Sequence, residues 1–178
     1  DEFVKNITGD STATTATFLE TLRKDLEAYW ARQSERMLEQ AIINELVRMH
    51  EFTVPESLVN FYLDSFVEDI KSRSRDGQLP SGFDEKRFRE ENRPYAVFQA
   101  KWALIRERLI EAEGITATEE DVERLAASEA ASLGLDKERL LRYYRTSNAA
   151  TERVLSAKLM AFLKDHARVT EKVVDELT

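Results

Sequence analysis

The sequence contains no cysteine among its 178 residues. Disulfide bridges, cysteine-ligated zinc, iron–sulfur clusters and thiol catalysis are therefore excluded. No run of about 18 apolar residues occurs, so the sequence predicts no membrane-spanning helix. Glycine and proline are scarce, with five and three residues respectively. Because a protein made of short strands needs many turn residues, this scarcity disfavours a β-sandwich or a barrel.

Charged side chains are abundant, with 26 basic against 34 acidic residues and a net charge of −8. This acidity disfavours nucleic acid or an anionic membrane as the main partner. The apolar content of 42% is enough for a buried core, which argues against wholesale disorder. The chain begins at Asp1 rather than Met and shows no signal pattern, and we expect it to be a fragment of a longer protein.

Apolar residues recur at steps of three and four through most of the chain, which predicts an all-α fold. The predicted helices cover residues 17–50, 55–73, 84–112, 118–133, 136–146 and 149–167, with loops at 8–17 and 75–82. Pro94 lies inside the third of these helices and is expected to break or kink it near Arg93.

The first predicted helix is long for a chain of this size. At ~1.5 Å per residue it would extend for roughly 50 Å, whereas a compact globule of this length has a diameter of roughly 40 Å. The helix is therefore either broken or part of an elongated molecule, and the high charge content favours elongation.

One local pattern occurs three times: a helix end, a small apolar residue, Thr or Pro, an acidic residue and a new apolar helix start. It lies at residues 52–59, 115–122 and 167–174. Thr53 with Glu56, and Thr118 with Asp121, have the spacing of a capping box. The pattern is consistent with three well-capped helix starts or with a helical-hairpin module used repeatedly.

No arrangement of residues supports an enzyme, a metal site or a bound cofactor. The two histidines, His50 and His166, lie near predicted helix C-termini and far apart in sequence, so we expect capping or surface roles. The acidic run Glu119-Glu120-Asp121 is typical of a solvated first turn. We therefore assign no catalytic, cofactor-binding or metal-binding residue.

The second predicted helix carries more apolar residues than one packing face requires. Between Leu58 and Ile70 they cover an arc of roughly 240°, whereas an ordinary core stripe is nearer 100°. Either this helix is sandwiched between two others, or part of it is an exposed strip that binds other chains. The aromatic residues of the third helix, Tyr95, Phe98 and Trp102, allow the same two interpretations.

Several stretches resemble the C-terminal domain of trigger factor, the bacterial ribosome-associated chaperone. The shared stretches are V-P-E-S-L-V at 54–59, L-P-S-G-F at 79–83, E-G-I at 113–115, T-E-E-D-V at 118–122, Y-Y at 143–144 with Asn148, and A-R-V-T-E-K at 167–172. Asp1-Glu2-Phe3 is similar to that family's entry into this domain. The resemblance covers nearly the whole chain in the same order. Pro94 and the Thr-rich stretch 12–17 depart from it.

The resemblance implies a single helical domain over residues 1–178, with a long first helix and protruding helical-hairpin arms. It would hold unfolded or nascent polypeptides without ATP in the cytoplasm and need no cofactor. Ribosome docking and prolyl isomerisation would belong to other parts of a longer parent, with no direct nucleic-acid or membrane contact. Weak self-association is compatible with this interpretation.

We expect the client-binding surface to include five aromatic residues: Phe61, Tyr62, Phe66, Tyr95 and Phe98. Aromatic side chains give a large contact area at a low entropic cost. Two alternatives stay open. The chain could be a helical scaffold or oligomerisation domain that docks a folded partner, or a periplasmic chaperone of the SurA type.

Overall fold

The structure, a computed structural model, describes residues 2–9, 12 and 14–170. Seven helices follow one another in these residues, and no strand occurs among them. They are α1 (Glu2–Thr8), α2 (Thr15–Met49), α3 (Glu56–Arg73), α4 (Glu85–Ala112), α5 (Glu119–Leu133), α6 (Lys137–Thr146) and α7 (Asn148–His166). The predicted all-α class is confirmed, whereas the elongated shape and the protruding arms remain predictions.

The chain divides into two compact units, residues 1–41 and 42–178. The first unit contains α1, which the sequence analysis did not predict, and most of α2. The Thr-rich stretch supplies the start of α2: the Thr14 hydroxyl accepts the Thr17 N–H at 3.2 Å, and the Thr17 hydroxyl accepts the Thr14 N–H at 3.0 Å. This reciprocal cap begins the helix two residues before the predicted Thr17.

The second unit contains two helical groups that touch through α4 and α7. Helices α3 and α4 form a hairpin around a small buried cluster of Val59, Leu63 and Ala96. Helices α5, α6 and α7 form a bundle, in which Val122, Ala126, Tyr144, Ala150 and Val154 are buried together. Arg106 of α4 joins the two groups through a 2.8 Å ion pair with Glu152 of α7.

Helix α4 runs through Pro94 without interruption, so the expected break at Arg93 is wrong. Proline removes one backbone hydrogen bond and disfavours a helix interior. Contacts with α3 on both sides of Pro94 compensate for this loss, because Arg89 and Arg93 pair with acidic residues of α3 and Ala96 is fully buried.

The predicted capping boxes have different outcomes. At α5 the Thr118 hydroxyl accepts the Asp121 N–H, and the Asp121 carboxylate accepts the Thr118 N–H, which confirms the box. At α3 the prediction is wrong: Pro55 is the N-cap and no side chain bonds there. The Glu56 carboxylate binds Arg93 instead. Residues 171–174, the second half of the third pattern, lie outside the described residues.

Candidate functional site

The α3–α4 hairpin has two chemically different edges on either side of its buried cluster. On a helical wheel of α3, Glu56 and Phe66 fall roughly 40° to either side of the line through Val59 and Leu63. On the Glu56 edge, Arg93 holds both carboxylate oxygens of Glu56 at 2.6 and 2.7 Å. The opposite edge, beyond Phe66, is aromatic.

Ion pairs fix the register of the two helices along the first edge. Besides Arg93 with Glu56, the guanidinium of Arg89 binds Asp64 at 2.6 Å and Glu85 at 2.8 Å. The hydrogen bonds from Arg93 hold the pKa of Glu56 below its ordinary value, so this carboxylate stays charged and paired at neutral pH. These ion pairs and the Phe66–Tyr95 contact therefore occur in one register of α3 against α4.

Three rings form a continuous row along the other edge, and we call Phe66, Tyr95 and Phe98 the aromatic row. The ring centroids of Phe66 and Tyr95 are 5.5 Å apart at an interplanar angle of 23°. Those of Tyr95 and Phe98 are 6.3 Å apart at 9°. These are distances of favourable aromatic contact. Tyr95 remains 54% exposed, whereas Phe66 and Phe98 are half-buried.

Three of the five predicted residues form the aromatic row, and the other two, Phe61 and Tyr62, lie outside it. Tyr62 lies one turn before Phe66, is half-buried and packs against the buried cluster. Phe61 touches the Tyr62 ring edge-on at 5.6 Å but is 62% exposed. On the helical wheel it lies about 160° from Val59, on the polar face of α3. The row is thus contiguous, whereas Phe61 lies on a different side of α3, roughly 140° from Phe66 on the wheel.

Sequence reasoning did not find the polar partner of the row. The Gln99 side-chain amide donates a hydrogen bond to the Tyr95 hydroxyl at 2.6 Å. The two residues are four apart in α4, a spacing that places side chains next to each other on a helix surface. A Tyr followed four residues later by Gln in a predicted helix therefore indicates a side-chain hydrogen bond that the sequence alone could have predicted.

Sequence reasoning also did not find an apolar groove in the second unit. Its volume is about 810 Å³, and it lies between the end of α2 with the following Phe52 and the last two turns of α4. Its apolar lining consists of Leu46, Phe52, Leu104, Ile105, Leu109 and Ile110. The Lys101 ammonium lies 5.7 Å from the centre of the Phe52 ring.

A second apolar strip lies on α2 within the first unit. It consists of Leu19, Leu22, Leu26 and Trp30, and all four side chains are exposed. Its register is a helical repeat of three and four residues. The apolar periodicity predicts a helix over this stretch, but periodicity alone does not reveal that the apolar face is open.

The two histidines form local hydrogen bonds at helix ends. His50 and His166 lie at helix C-termini, where each Nδ1 is 2.8 Å from the carbonyl oxygen four residues earlier. No group of three or more metal-ligating side chains occurs within the described part of the chain. None of the helices in this part is both long and apolar enough to cross a membrane. The arrangement thus offers apolar contact and hydrogen bonds.

Comparison with known proteins decides the family. Residues 14–165 match the family model described as the bacterial trigger factor protein C-terminus. The chain belongs to the trigger factor family. A trigger factor of Salinibacter ruber is 30% identical over 99% of this chain and 39% of its own length. A trigger factor of Chloroherpeton thalassium is 36% identical over 76% of this chain and 31% of its own length.

The fold is also that of a solved trigger factor structure. A chain from a study of the structures of, and interactions between, domains of trigger factor from Thermotoga maritima matches with a TM-score of 0.57. It is 20% identical, and the match covers 74% of this chain and 80% of that one. This chain spans about two fifths of the length of the Salinibacter relative. A trigger factor C-terminal region thus accounts for the fold, and membership of the family supports a chaperone role.

Proposed function

We propose that this chain is an ATP-independent holdase module that binds unfolded or nascent polypeptides through its exposed apolar surface. The client-binding surface is the aromatic row together with Tyr62 and Phe61. The observation that carries this proposal is that Tyr95 and Phe61 remain 54% and 62% exposed although the hairpin already has a filled core. An exposed apolar surface on a soluble chain indicates a binding role.

The proposal extends to the longer protein that trigger factor relatives represent. Residues 1–178 act as one chaperone domain, and prolyl isomerisation and ribosome docking reside in other parts of the parent. The module works in the cytoplasm, without direct contact to nucleic acid or membrane. Clients bind weakly and with little sequence selectivity, because ordering an unfolded segment costs entropy.

An aggregation assay tests the proposal directly. Guanidinium-unfolded citrate synthase is diluted into buffer with the wild-type chain or the Tyr95→Ser variant, and light scattering is followed. We expect Tyr95→Ser to raise the chain concentration needed for half-protection by about tenfold, the effect of losing one aromatic anchor. Tyr143→Ser is the matched control, because Tyr143 is a 62% exposed tyrosine of α6 outside this surface.

The two variants give distinct outcomes. If Tyr95→Ser protects citrate synthase as well as wild type does, Tyr95 is not part of the client surface. If both serine variants fail equally, the loss reflects exposed aromatic area in general and the site assignment is wrong. Equal melting temperatures for the three proteins show that folding is not the cause of either result.

The scaffold alternative is separated by dye binding. A holdase keeps its apolar surface open, so an environment-sensitive dye such as bis-ANS fluoresces with the native chain, and unfolded client displaces it. In a scaffold that docks one folded partner or oligomerises, unfolded client leaves the dye in place. A periplasmic SurA-type role predicts the same dye result as the holdase and is tested by fractionating the cells that make the parent protein.

A further inference from the structure

The Tyr95–Gln99 pair leaves two hydrogen-bonding groups unused. Because the Tyr95 oxygen accepts the Gln99 amide at 2.6 Å, the hydroxyl proton stays available to donate. The Gln99 carbonyl oxygen stays available to accept. Over the described ranges 2–9, 12 and 14–170, no side chain or backbone group bonds to either one. One donor and one acceptor thus lie side by side at the edge of the aromatic row.

This arrangement matches the main chain of a polypeptide. Every residue except proline carries one N–H donor and one C=O acceptor on its backbone. The hydroxyl of Tyr95 can donate to a client carbonyl, and the side-chain carbonyl of Gln99 can accept a client N–H. The rings of Phe66 and Phe98 on either side of Tyr95 hold its ring in place, so the pair is oriented before a client arrives.

We propose that Tyr95 and Gln99 bind the backbone amide groups of the client, while the aromatic row contacts its apolar side chains. This inference rests on the proposed function and names the chemistry that the site recognises. Backbone contacts do not depend on the client sequence, so they add affinity for any unfolded segment. A folded partner, whose backbone groups are already paired, gains nothing from them.

Two conservative variants isolate the hydrogen-bonding groups from the apolar surface. Tyr95→Phe keeps the stacked ring and removes the hydroxyl, and Gln99→Leu keeps an apolar side chain of similar bulk and removes the amide. The probes are a fluorescein-labelled 20-residue apolar peptide, the same peptide with N-methylated backbone amides, and bis-ANS, which has no backbone. We expect each variant to bind the unmodified peptide roughly threefold or more weakly, the effect of one neutral hydrogen bond, and to bind bis-ANS like wild type.

The methylated peptide gives the sharper measurement. N-methylation removes the client donor, so Gln99→Leu should cause no further loss of affinity for that peptide. A full additional loss would mean that Gln99 acts through packing alone and would overturn the proposal. In Tyr95→Phe/Gln99→Leu the combined loss should be smaller than the product of the single losses, because the two groups act as a pair.

Helix α2 supplies a matched control with the same chemistry. There Gln33 donates to the Tyr29 hydroxyl at 3.0 Å, again four residues apart. Tyr29→Phe and Gln33→Leu should leave peptide binding unchanged, and an equal loss in these variants would overturn the assignment to the row. If Tyr95→Phe and Gln99→Leu bind the peptide normally while Tyr95→Ser does not, the aromatic surface stands and the backbone contact is wrong. If Tyr95→Ser also binds normally, the proposed client site itself is wrong.

Discussion

The α3–α4 hairpin and the α5–α7 bundle both contain a tyrosine held by a hydrogen bond, but the two tyrosines are used differently. In the bundle Tyr144 is buried, and its hydroxyl bonds to the Glu129 carboxylate and to Arg153. In the hairpin Tyr95 is exposed, and its hydroxyl bonds to the neutral amide of Gln99. Charged partners around a buried ring stabilise the fold, whereas a neutral partner beside an open ring leaves a surface that can bind.

The same contrast holds for the polar networks. In the bundle, the Lys158 ammonium binds the capping carboxylate of Asp121 at 2.5 Å and the Thr116 carbonyl at 2.9 Å, which ties α7 to the start of α5. These contacts lower the pKa of Asp121 well below its ordinary value, chiefly through the hydrogen bond from Lys158. In the hairpin the ion pairs that join α3 to α4 lie along one edge only, away from the aromatic row. The bundle and the hairpin thus differ in where charged contacts join their helices.

The largest effect should come from a fully buried side chain of α7. Leu159 of α7 is 1% exposed, so Leu159→Ala should lower the free energy of unfolding by ~2–5 kcal/mol. Urea unfolding followed by circular dichroism measures this change. Leu133→Ala is the control, because Leu133 is 65% exposed at the end of α5. If Leu159→Ala and Leu133→Ala lower the free energy of unfolding equally, the distinction between a buried core and an exposed surface is wrong.

Removal of a helix cap should have a smaller effect. Thr118→Ala removes the hydroxyl that accepts the Asp121 N–H, while the backbone N–H of residue 118 can still donate to Asp121, and should destabilise the protein by about 1 kcal/mol. Thr53→Ala has the same spacing to an acidic residue but no cap to lose, since Pro55 starts α3 without a side-chain bond. A comparable loss in Thr53→Ala would show that the hairpin start is capped after all.

The charged network of the bundle should give a pH dependence that the hairpin tyrosine lacks. Hydrogen bonds from Arg153, and then from Tyr144, lower the pKa of Glu129 in the folded state. A lowered folded pKa means that this stability is present above the unfolded value of about 4.3 and is lost as the pH falls through the folded value. Glu129→Gln should therefore cost about 1 kcal/mol at pH 7 and progressively less in acid.

Urea midpoints measured between pH 2.5 and pH 7 check this expectation. A wild-type advantage that stays constant over the whole range would show that Glu129 contributes by packing rather than by charge. For Gln99→Leu, which removes no charge, the difference in urea midpoint from wild type should not change with pH.

The smallest effect on stability should come from the exposed side of the hairpin. Phe61→Ser removes a ring that faces solvent, so the free energy of unfolding, measured by urea denaturation, should change by no more than about 0.5 kcal/mol, as is typical of surface changes. If Phe61→Ser destabilises the protein like a core variant, the ring is covered and cannot belong to the client surface.

The sequence predicted the helix order well because the apolar periodicity is strong. Five of the six predicted helices have the observed bounds to within one residue at each end, and α2 differs by two at its start. Pro94 misled the prediction because local propensity is weak against the contacts of Arg89, Arg93 and Ala96 with α3. Helix α1 was missed because seven residues give too few periods for a pattern.

The site was harder to predict than the fold. Apolar periodicity identified the residues of the row but not their exposure, since a wide apolar arc is equally consistent with a helix between two neighbours. Only the packing shows that Phe66 and Phe98 are half-buried and Tyr95 is open. The same limit applies to the groove near Phe52, which depends on how the end of α2 meets α4.

Pro94 has a consequence for the opening of helix α4. Proline has no amide hydrogen, so the carbonyl of Glu90 loses its partner four residues on. The neighbouring bonds, from the amides of residues 95–97 back to the carbonyls of residues 91–93, still span this position, so the hydrogen-bond ladder of α4 is thinned but not divided. In native-state hydrogen exchange the amides on both sides of Pro94 should therefore open as one cooperative unit.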